Sequence, residues 1–283
     1  GPPQGMAPFL YLPHSFVIAE HGLGCFEVAM EAQHALTQRF TAEFCIRPYL
    51  AAEPARTLAR LAEWVADPSA HVRRLVSEGT RPRLPWAARL RALQRDPGPV
   101  LPLLARLRDD PSPDVRRSVA NHLNDIGRDH PALLVGIARE WAVDAPPARR
   151  RLLRHALRGR VAAGDPDALA VLGHDPAAPA AARIAGIEPA RPRTGDTLRV
   201  RVEVSNPGGA PAAYAVRLRV RFPRPGGREA VRVFTLGERE LPPGGSAGLA
   251  GRVSLAHHTT RAAHPGPHVL EIMVNGVARA AAT

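Results

Sequence analysis

Cysteine is almost missing from this chain. Cys25 and Cys45 are the whole complement, and their spacing fits neither a disulfide framework nor a metal-ligand pattern. The 12 histidines are scattered, with His257-His258 the one close pair, so no metal and no other cofactor is expected. No apolar run is long enough to cross a bilayer and no secretory signal is read, so the expectation is a cytoplasmic protein without a membrane partner. A Gly-rich phosphate loop and a nucleophile elbow are also lacking, which removes the main NTPase and acyl-transfer readings. Lysine is absent, all 38 basic residues being arginine. A GC-rich genome would produce that bias along with the 30 prolines, so the choice of arginine over lysine carries little functional weight. The excess of positive charge does carry weight. With 26 acidic residues the net charge is +12, and the balance is positive in both halves: 24 Arg against 19 acids up to Arg183, then 14 against 7. Such a surface suits a nucleic-acid partner.

A repeat organises the first half. Asp67-Pro68-Ser69-Ala70-His71-Val72-Arg73-Arg74 matches Asp110-Pro111-Ser112-Pro113-Asp114-Val115-Arg116-Arg117, and Asp144-Ala145-Pro146-Pro147-Ala148-Arg149-Arg150 is a weaker third copy. Each follows an apolar helical segment: Leu58 to Trp64, Leu101 to Leu107, and Leu133 to Trp141. Helix, Asp/Pro turn and helix at a spacing of roughly 40 residues predict HEAT-type pairs whose second helices line one concave surface. In the middle copy, Val115, Val119, Leu123 and Ile126 fall on one helical arc. Arg117, Asn121, Asn124, Asp125 and Arg128 fall on another. Registering the copies places Arg74 and Glu78 over Arg117 and Asn121, with Arg150, Arg154 and Arg158 in the same arc. A basic groove that grips a phosphate backbone is one reading and a solvated helix face the other. Trp64 and Trp141 sit at helical spacing and are expected in the core.

Near residue 184 the pattern changes. Leu198 to Val204, Ala215 to Phe222 and Val231 to Phe234 alternate, separated by Asn206-Pro207-Gly208-Gly209, Pro225-Gly226-Gly227 and Pro242-Pro243-Gly244-Gly245. Short alternating strands over about 100 residues predict an antiparallel sandwich of immunoglobulin type. The expected architecture is therefore multidomain, with an α-helical HEAT-like solenoid over 1–180 and an all-β immunoglobulin-like sandwich over 184–283. The outward arginines Arg199, Arg201, Arg217, Arg219 and Arg221 make either a solvated sheet face or an extension of the basic surface that clamps DNA.

Several segments carry a family resemblance. Phe40-Thr41-Ala42-Glu43-Phe44-Cys45-Ile46-Arg47-Pro48-Tyr49-Leu50, Glu78 to Trp86 and Arg117 to Asp125 resemble the AlkC-type DNA glycosylases. These are bacterial base-excision enzymes related to the AlkD-type HEAT-like glycosylases. Thr259-Thr260-Arg261 and Val274-Asn275-Gly276 are similar to the immunoglobulin-like domain found in many of them. Family members carry further helices ahead of Gly5-Met6-Ala7-Pro8-Phe9-Leu10, and the resemblance implies that these are missing here. It also implies a monomer that removes cationic N3-alkylated bases, 3-methyladenine and 3-methylcytosine, from double-stranded DNA in the bacterial nucleoid, without full base flipping.

The chemistry asked of the residues is modest. A base that already carries positive charge leaves without a general acid, so negative charge near the developing oxocarbenium and a positioned water suffice. The resemblance makes Glu43 and Asp125 the catalytic carboxylates. Read from spacing alone, Glu43 is an i,i+4 partner of Arg39 or Arg47, and Asp125 pairs with Arg128. Trp86 reads either as a plug under a Pro-rich loop or, by the resemblance, as the wall against the damaged nucleotide. The expected DNA-binding residues are Arg47, Arg74, Arg81, Arg83, Arg117, Asn121, Asn124 and Arg154. A non-catalytic HEAT-repeat scaffold for DNA or an acidic protein is the competing reading, since helical repeats are most often binding modules. Carboxylates inside a basic groove discriminate against it.

Overall fold

The structure, a computed structural model, describes residues 7–256 and 264–283. His257-His258 and Thr259-Thr260-Arg261 lie outside the described residues. The chain divides between Leu157 and Arg158 into two compact units.

In the first unit a 3-10 turn (Ala7–Tyr11) leads into α1 (Leu12–His21) and α2 (Phe26–Thr37). Then come α3 (Arg47–Ala52), α4 (Pro54–Trp64), α5 (Ala70–Gly79), α6 (Arg91–Arg95), α7 (Leu101–Leu107), α8 (Pro113–Asp129), α9 (Pro131–Ala142) and α10 (Pro147–Ala156). The pairs α4/α5, α7/α8 and α9/α10 are the three repeats, and the second helices α5, α8 and α10 lie side by side. Apolar residues at three- and four-residue steps set this arrangement. Val115, Val119, Leu123 and Ile126 of α8 are fully buried, as are Val72 and Leu75 of α5 and Leu153 of α10. Trp64 and Trp141 are also buried.

The repeated Asp-Pro-Ser turn has a mechanical explanation. The carboxylates of Asp67 and Asp110 accept the backbone N–H of Ser69 and Ser112 at 2.7 and 2.8 Å, closing an Asx turn before each helix. Arg73 then donates back to the carbonyls of Asp67 and Pro68, and Arg116 to those of Asp110 and Pro111. The turns are also tied in series: His34 of α2 meets Asp67 at 2.7 Å, and Arg73 holds Asp110 with two bonds of 2.6 and 3.0 Å.

In the third copy Arg150 is the residue that returns to the turn, through Ala145 O at 2.9 Å. Counted from the helix start, Arg73, Arg116 and Arg150 occupy equivalent positions, as do Arg74, Arg117 and Arg151. The register read from sequence, which put Arg150 beside Arg74 and Arg117, is therefore shifted by one residue. The slip came from matching Arg149-Arg150 to Arg116-Arg117, whereas counting from Asp67, Asp110 and Asp144 keeps the copies in step; in the third turn Asp144 adopts φ 47° and Pro146 replaces the Asx serine.

The second unit opens with two short helices, α11 (Arg158–Ala162) and α12 (Pro166–Val171). The strands are β1 (Ala181–Glu188), β2 (Thr197–Ser205), β3 (Ala212–Pro223), β4 (Glu229–Leu241), β5 (Ser246–Ser254), β6 (Val269–Val274) and β7 (Val277–Ala282). They form two antiparallel sheets, β1-β2-β5 and β4-β3-β6-β7. Alternation places Leu198, Val200, Val202 and Val204 of β2 against Tyr214, Val216, Leu218 and Val220 of β3 in one core. Val274-Asn275-Gly276 is the β6–β7 turn, with φ 50° at Asn275 and 82° at Gly276, as a two-residue hairpin of right-handed twist requires. Asn275 donates to Asp175 O (2.8 Å) and Ala213 O (3.0 Å) and accepts from Ala215 N (2.7 Å). A Cβ on Gly276 would meet the backbone of Gly164 and Pro166 at 2.7–2.8 Å. These ties assign residues 158–180 to the sandwich unit, whereas the sequence boundary was expected near 180.

Candidate active site and nucleic-acid interface

Glu43 lies in the turn between α2 and α3, where its backbone N–H is held by Thr41 Oγ1. It does not pair with Arg39 or Arg47. Its partner is Arg74 of α5, at 3.1 Å. Arg74 in turn reaches Glu78 at 3.9 Å, and Glu78 accepts Arg81 Nη1 at 2.6 Å and Ser118 Oγ at 2.6 Å. Arg81 Nε donates to Asp125 Oδ2 at 2.8 Å. The two candidate carboxylates are thus the ends of one alternating chain, Glu43–Arg74–Glu78–Arg81–Asp125, which runs from the α2–α3 turn through α5 to α8. The chain itself sets three carboxylates against two guanidinium groups, and the buried Arg47, within electrostatic reach of Glu43, Arg81 and Asp125, is a third guanidinium beside it. Burial raises the Asp125 carboxyl above the usual aspartate range, and the bond from Arg81 pulls the other way without cancelling it. Glu78 was not singled out from sequence. Its repeat register with Asn121 marked it as a groove position, and Arg74 four residues before it and Arg81 three after it were the spacing signal that could have marked it as the centre of the chain.

The loop 80–90 is built around Arg47. This guanidinium is buried and donates to Gly79 O (3.1 Å), Arg81 O (2.9 Å) and Ala88 O (2.5 and 3.0 Å). Desolvation lowers its pKa to about 10, with Arg81 adding to the shift. Arg83 grips Asp129 with two bonds of 2.9 and 2.5 Å and fixes the other arm of the loop. At the tip stands Trp86, 98% exposed and at φ 61°. Left-handed backbone on a bulky residue costs about 1–3 kcal/mol, and it persists only where the surroundings impose it. Trp86 is thus not a plug. It walls an apolar groove of about 660 Å³ shared with Phe16 of α1, Phe44 and Pro48.

Several expected DNA ligands have their donors engaged within the protein. Arg47 and Arg81 are buried among carbonyls and carboxylates, and Arg83 is engaged by Asp129. Asn124, also buried, donates to Ala156 O at 2.9 Å and ties α8 to the end of α10. Only Asn124 of these lies on α8, and an arginine or asparagine whose donors find protein acceptors has no reason to face solvent. Arg117 and Arg154 are exposed, and Asn121 is half-buried beside His155, whose Nε2 lies 2.9 Å from its Oδ1. Arg151 and His155 were missed, because the one-residue slip in the third copy directed attention to Arg150. The groove residues frame two clefts. One, about 410 Å³ between α5 and α8, is lined by His71, Arg74, Glu78, Asp114, Arg117 and Asn121 among others. The second lies between α8 and α10.

In the sandwich the outward arginines are mostly paired with neighbouring strands: Arg183 with Glu203, Arg201 with Glu188, and Arg219 and Arg221 with Glu271. Arg217 is buried instead. Among the described residues no group of three or more His, Cys, Asp or Glu is arranged to hold a metal, and no helix is long and apolar enough to cross a membrane.

Comparison with solved structures places this geometry. A Pseudomonas fluorescens alkylpurine DNA glycosylase, AlkC, bound to DNA containing an abasic site analog, superposes with a TM-score of 0.88 at 33% identity, covering 97% of this chain and 76% of that one. The chain belongs to the AlkC family. Its AlkC-type architecture is matched piecewise as well: residues 100–130 fit the HEAT repeat, and residues 182–283 fit the C-terminal Ig-like domain described for the uncharacterised protein YhaZ. An uncharacterized YhaZ protein of Bacillus subtilis (strain 168) is 42% identical over 158 residues, 56% of this chain. That stretch spans 44% of the YhaZ protein's own length.

Proposed function

We propose that the protein is a DNA glycosylase of base-excision repair that hydrolyses the N-glycosidic bond of cationic N3-alkylated bases, 3-methyladenine and 3-methylcytosine, in duplex DNA. The observation that carries this reading is the chain Glu43–Arg74–Glu78–Arg81–Asp125, three carboxylates gathered by packing in an otherwise basic protein of the AlkC family, with Arg81 opening the loop that exposes Trp86. A phosphate-binding scaffold gains nothing from carboxylates there.

The chemistry follows from charge. An N3-alkylated base is held to its sugar by a bond whose electrons it already attracts, so no proton need be delivered to it. The sugar becomes cationic as the bond breaks. Glu43, the more accessible carboxylate, stabilises that cation and accepts a proton from the attacking water, while Arg74 holds it in place and Asp125 stands at the other end of the chain. The indole face of Trp86 attracts either cation, base or sugar. Because Trp86 stands at the surface, the base is contacted without full extrusion from the helix. The protein works as a monomer on chromosomal DNA.

The test is release of free 3-methyladenine from methylated duplex under single-turnover conditions. Glu43→Gln and Asp125→Asn should each slow release by about 10²-fold or more while leaving affinity for abasic DNA within a few-fold. Release at the wild-type rate by both variants, or efficient release of uracil, a neutral base that needs a general acid, would overturn the scheme.

A further inference from the structure

The two ends of the sandwich are finished differently. One end is sealed by residues 158–180: Tyr214 donates to Pro179 O at 2.6 Å, Asn275 to Asp175 O at 2.8 Å, and Gly276 packs against Gly164 and Pro166 with no room for a Cβ. At the other end, where the β1–β2 and β3–β4 connections meet the end of β5, the core opens into a recess of about 370 Å³. Its floor belongs to the core, being Phe222 and Leu255. Pro192 and Pro223 wall it, each next in sequence to an exposed arginine, Arg193 and Arg224, that also lines it. Among the described residues no carboxylate lines the recess.

Both arginines sit on connections held by the backbone. Arg193 N donates to Asp196 Oδ2 at 2.7 Å, and Leu255 N donates to Asp196 O at 2.8 Å, which fastens the β1–β2 connection to the end of β5. Arg224 N donates to Arg228 O at 2.8 Å and closes the β3–β4 turn. Neither guanidinium makes an ion pair among the described residues, whereas Arg219 and Arg221 on the nearby sheet face share Glu271. His268 adds a third polar group. It meets Phe222 edge-on at 5.4 Å between ring centroids, and its Nδ1 lies 2.9 Å from Gly266 O. A carbonyl oxygen only accepts, so Nδ1 carries the proton and Nε2 of the neutral ring is an acceptor.

We propose that this recess binds a free nucleoside monophosphate, with the base on the Phe222–Leu255 floor and the phosphate at Arg193 and Arg224. Small molecules bind in clefts of about 300–1,000 Å³ that pair an apolar lining with a few convergent polar groups, and the recess has that size and make-up. A flat heterocycle covers apolar core that water otherwise wets. An exocyclic amine on it supplies the donor that His268 Nε2 accepts. A phosphate monoester supplies the acceptor oxygens that planar guanidinium groups match. Duplex DNA offers the same chemistry in a form that does not fit, because a stacked and paired base must first be extruded to reach a floor inside the sandwich. A free nucleotide enters without that step. The site belongs to the sandwich unit and is independent of the glycosylase reading.

The experiment titrates the full chain by calorimetry with adenosine monophosphate, adenosine and inorganic phosphate. The nucleotide should bind at least about tenfold more tightly than adenosine or phosphate alone. Arg193→Gln and Arg224→Gln change exposed side chains, so melting should be unaffected, and each should weaken nucleotide binding roughly tenfold. Ala230→Phe fills the recess from β4 and should weaken it at least as much, whereas Arg232→Gln, which removes an exposed charge on the same strand, should leave it unchanged. No saturable nucleotide binding below about 1 mM, or wild-type affinity in both arginine variants, overturns the proposal. Phosphate that binds as tightly as the nucleotide reduces the recess to an anion site and also overturns it. Displacement of the nucleotide by an undamaged duplex would assign the two arginines to DNA and sink the proposal, while a nucleotide retained on the DNA-bound protein supports it. Base release is measured separately, so the glycosylase reading survives any of these results.

Discussion

The two units of this protein use arginine in opposite ways. In the helical unit the pairs reach across the repeats, Arg73 to Asp110, Arg74 to Glu43, Arg81 to Asp125, and the groups they join are largely withdrawn from water. In the sandwich the pairs link adjacent strands at the surface, as Arg183–Glu203 and Arg201–Glu188 do, where an ion pair is worth about 0–1 kcal/mol. Burial raises the stakes of each contact, so the helical unit's charges hold defined geometry and the sandwich's mainly keep a sheet face wet. The exception on each side sharpens the point. Arg47 is buried with its donors placed on three carbonyl oxygens, whereas Arg217, 2% exposed, has Nε and Nη1 without partners, and desolvation lowers its pKa.

Replacing each with methionine gives the largest contrast. Arg47→Met strands the carbonyls of Gly79, Arg81 and Ala88 and should cost about 3 kcal/mol, with the Trp86 loop released. Arg217→Met removes a buried charge whose Nε and Nη1 lack hydrogen-bond partners and should be neutral or stabilising by about 1 kcal/mol. Denaturant unfolding measures both, and equal losses would erase the distinction.

A smaller contrast uses the two left-handed residues. Asn275→Gly keeps φ 50° comfortable but deletes three side-chain hydrogen bonds, for an expected loss of about 2 kcal/mol. Trp86→Gly relieves strain and, with the indole so exposed, buries nothing less. It should gain about 0.5–1 kcal/mol while base release falls roughly tenfold. Parallel melting and excision assays separate the two effects, and a destabilised Trp86→Gly would mean that the loop is not strained.

The last test is in pH. Burial drives His122 of α8 down to about 3, its Nδ1 held at Ser77 O. The unfolded chain therefore takes up a proton that the folded one refuses. The stability conferred by a neutral His122 is complete above pH about 6.5 and is lost as pH falls towards 3, at up to about 1.4 kcal/mol per pH unit. Asp125 is shifted upward, so its folded form takes the proton first and the excision rate should fall on the acid side above the ordinary aspartate range. His122→Asn should flatten the stability profile and leave that acid limb in place. If the limb moves with His122, Asp125 is not the titrating group.

The repeats were legible in the sequence because the recurring letters of the Asp-Pro-Ser turn have local jobs within six residues: the Asx bond, the helix start, the returning arginine. The sandwich was legible by alternation. Partners were not. Periodicity assigns Arg81 and Asn124 to a face, but only the fold shows that Asp125 and Ala156 O wait there to satisfy them. Glu43 and Asp125 stood out through family resemblance alone. Glu78 escaped notice although Arg74 and Arg81 stand four residues before and three after it, because what makes it the centre, the outer links to Glu43 and Asp125 and the bond from Ser118, exists only once the α2–α3 turn, α5 and α8 are packed.

That five-membered chain also constrains how such a protein can drift. A neutralising change at Glu78 leaves two guanidinium groups to share two carboxylates, and one at Arg74 or Arg81 leaves adjacent carboxylates facing each other. Each single step therefore passes through a poorly folded or inactive intermediate. Viable relatives should exchange these positions in pairs, and a lone substitution should be rescued more readily by a second change along the chain than by any change outside it.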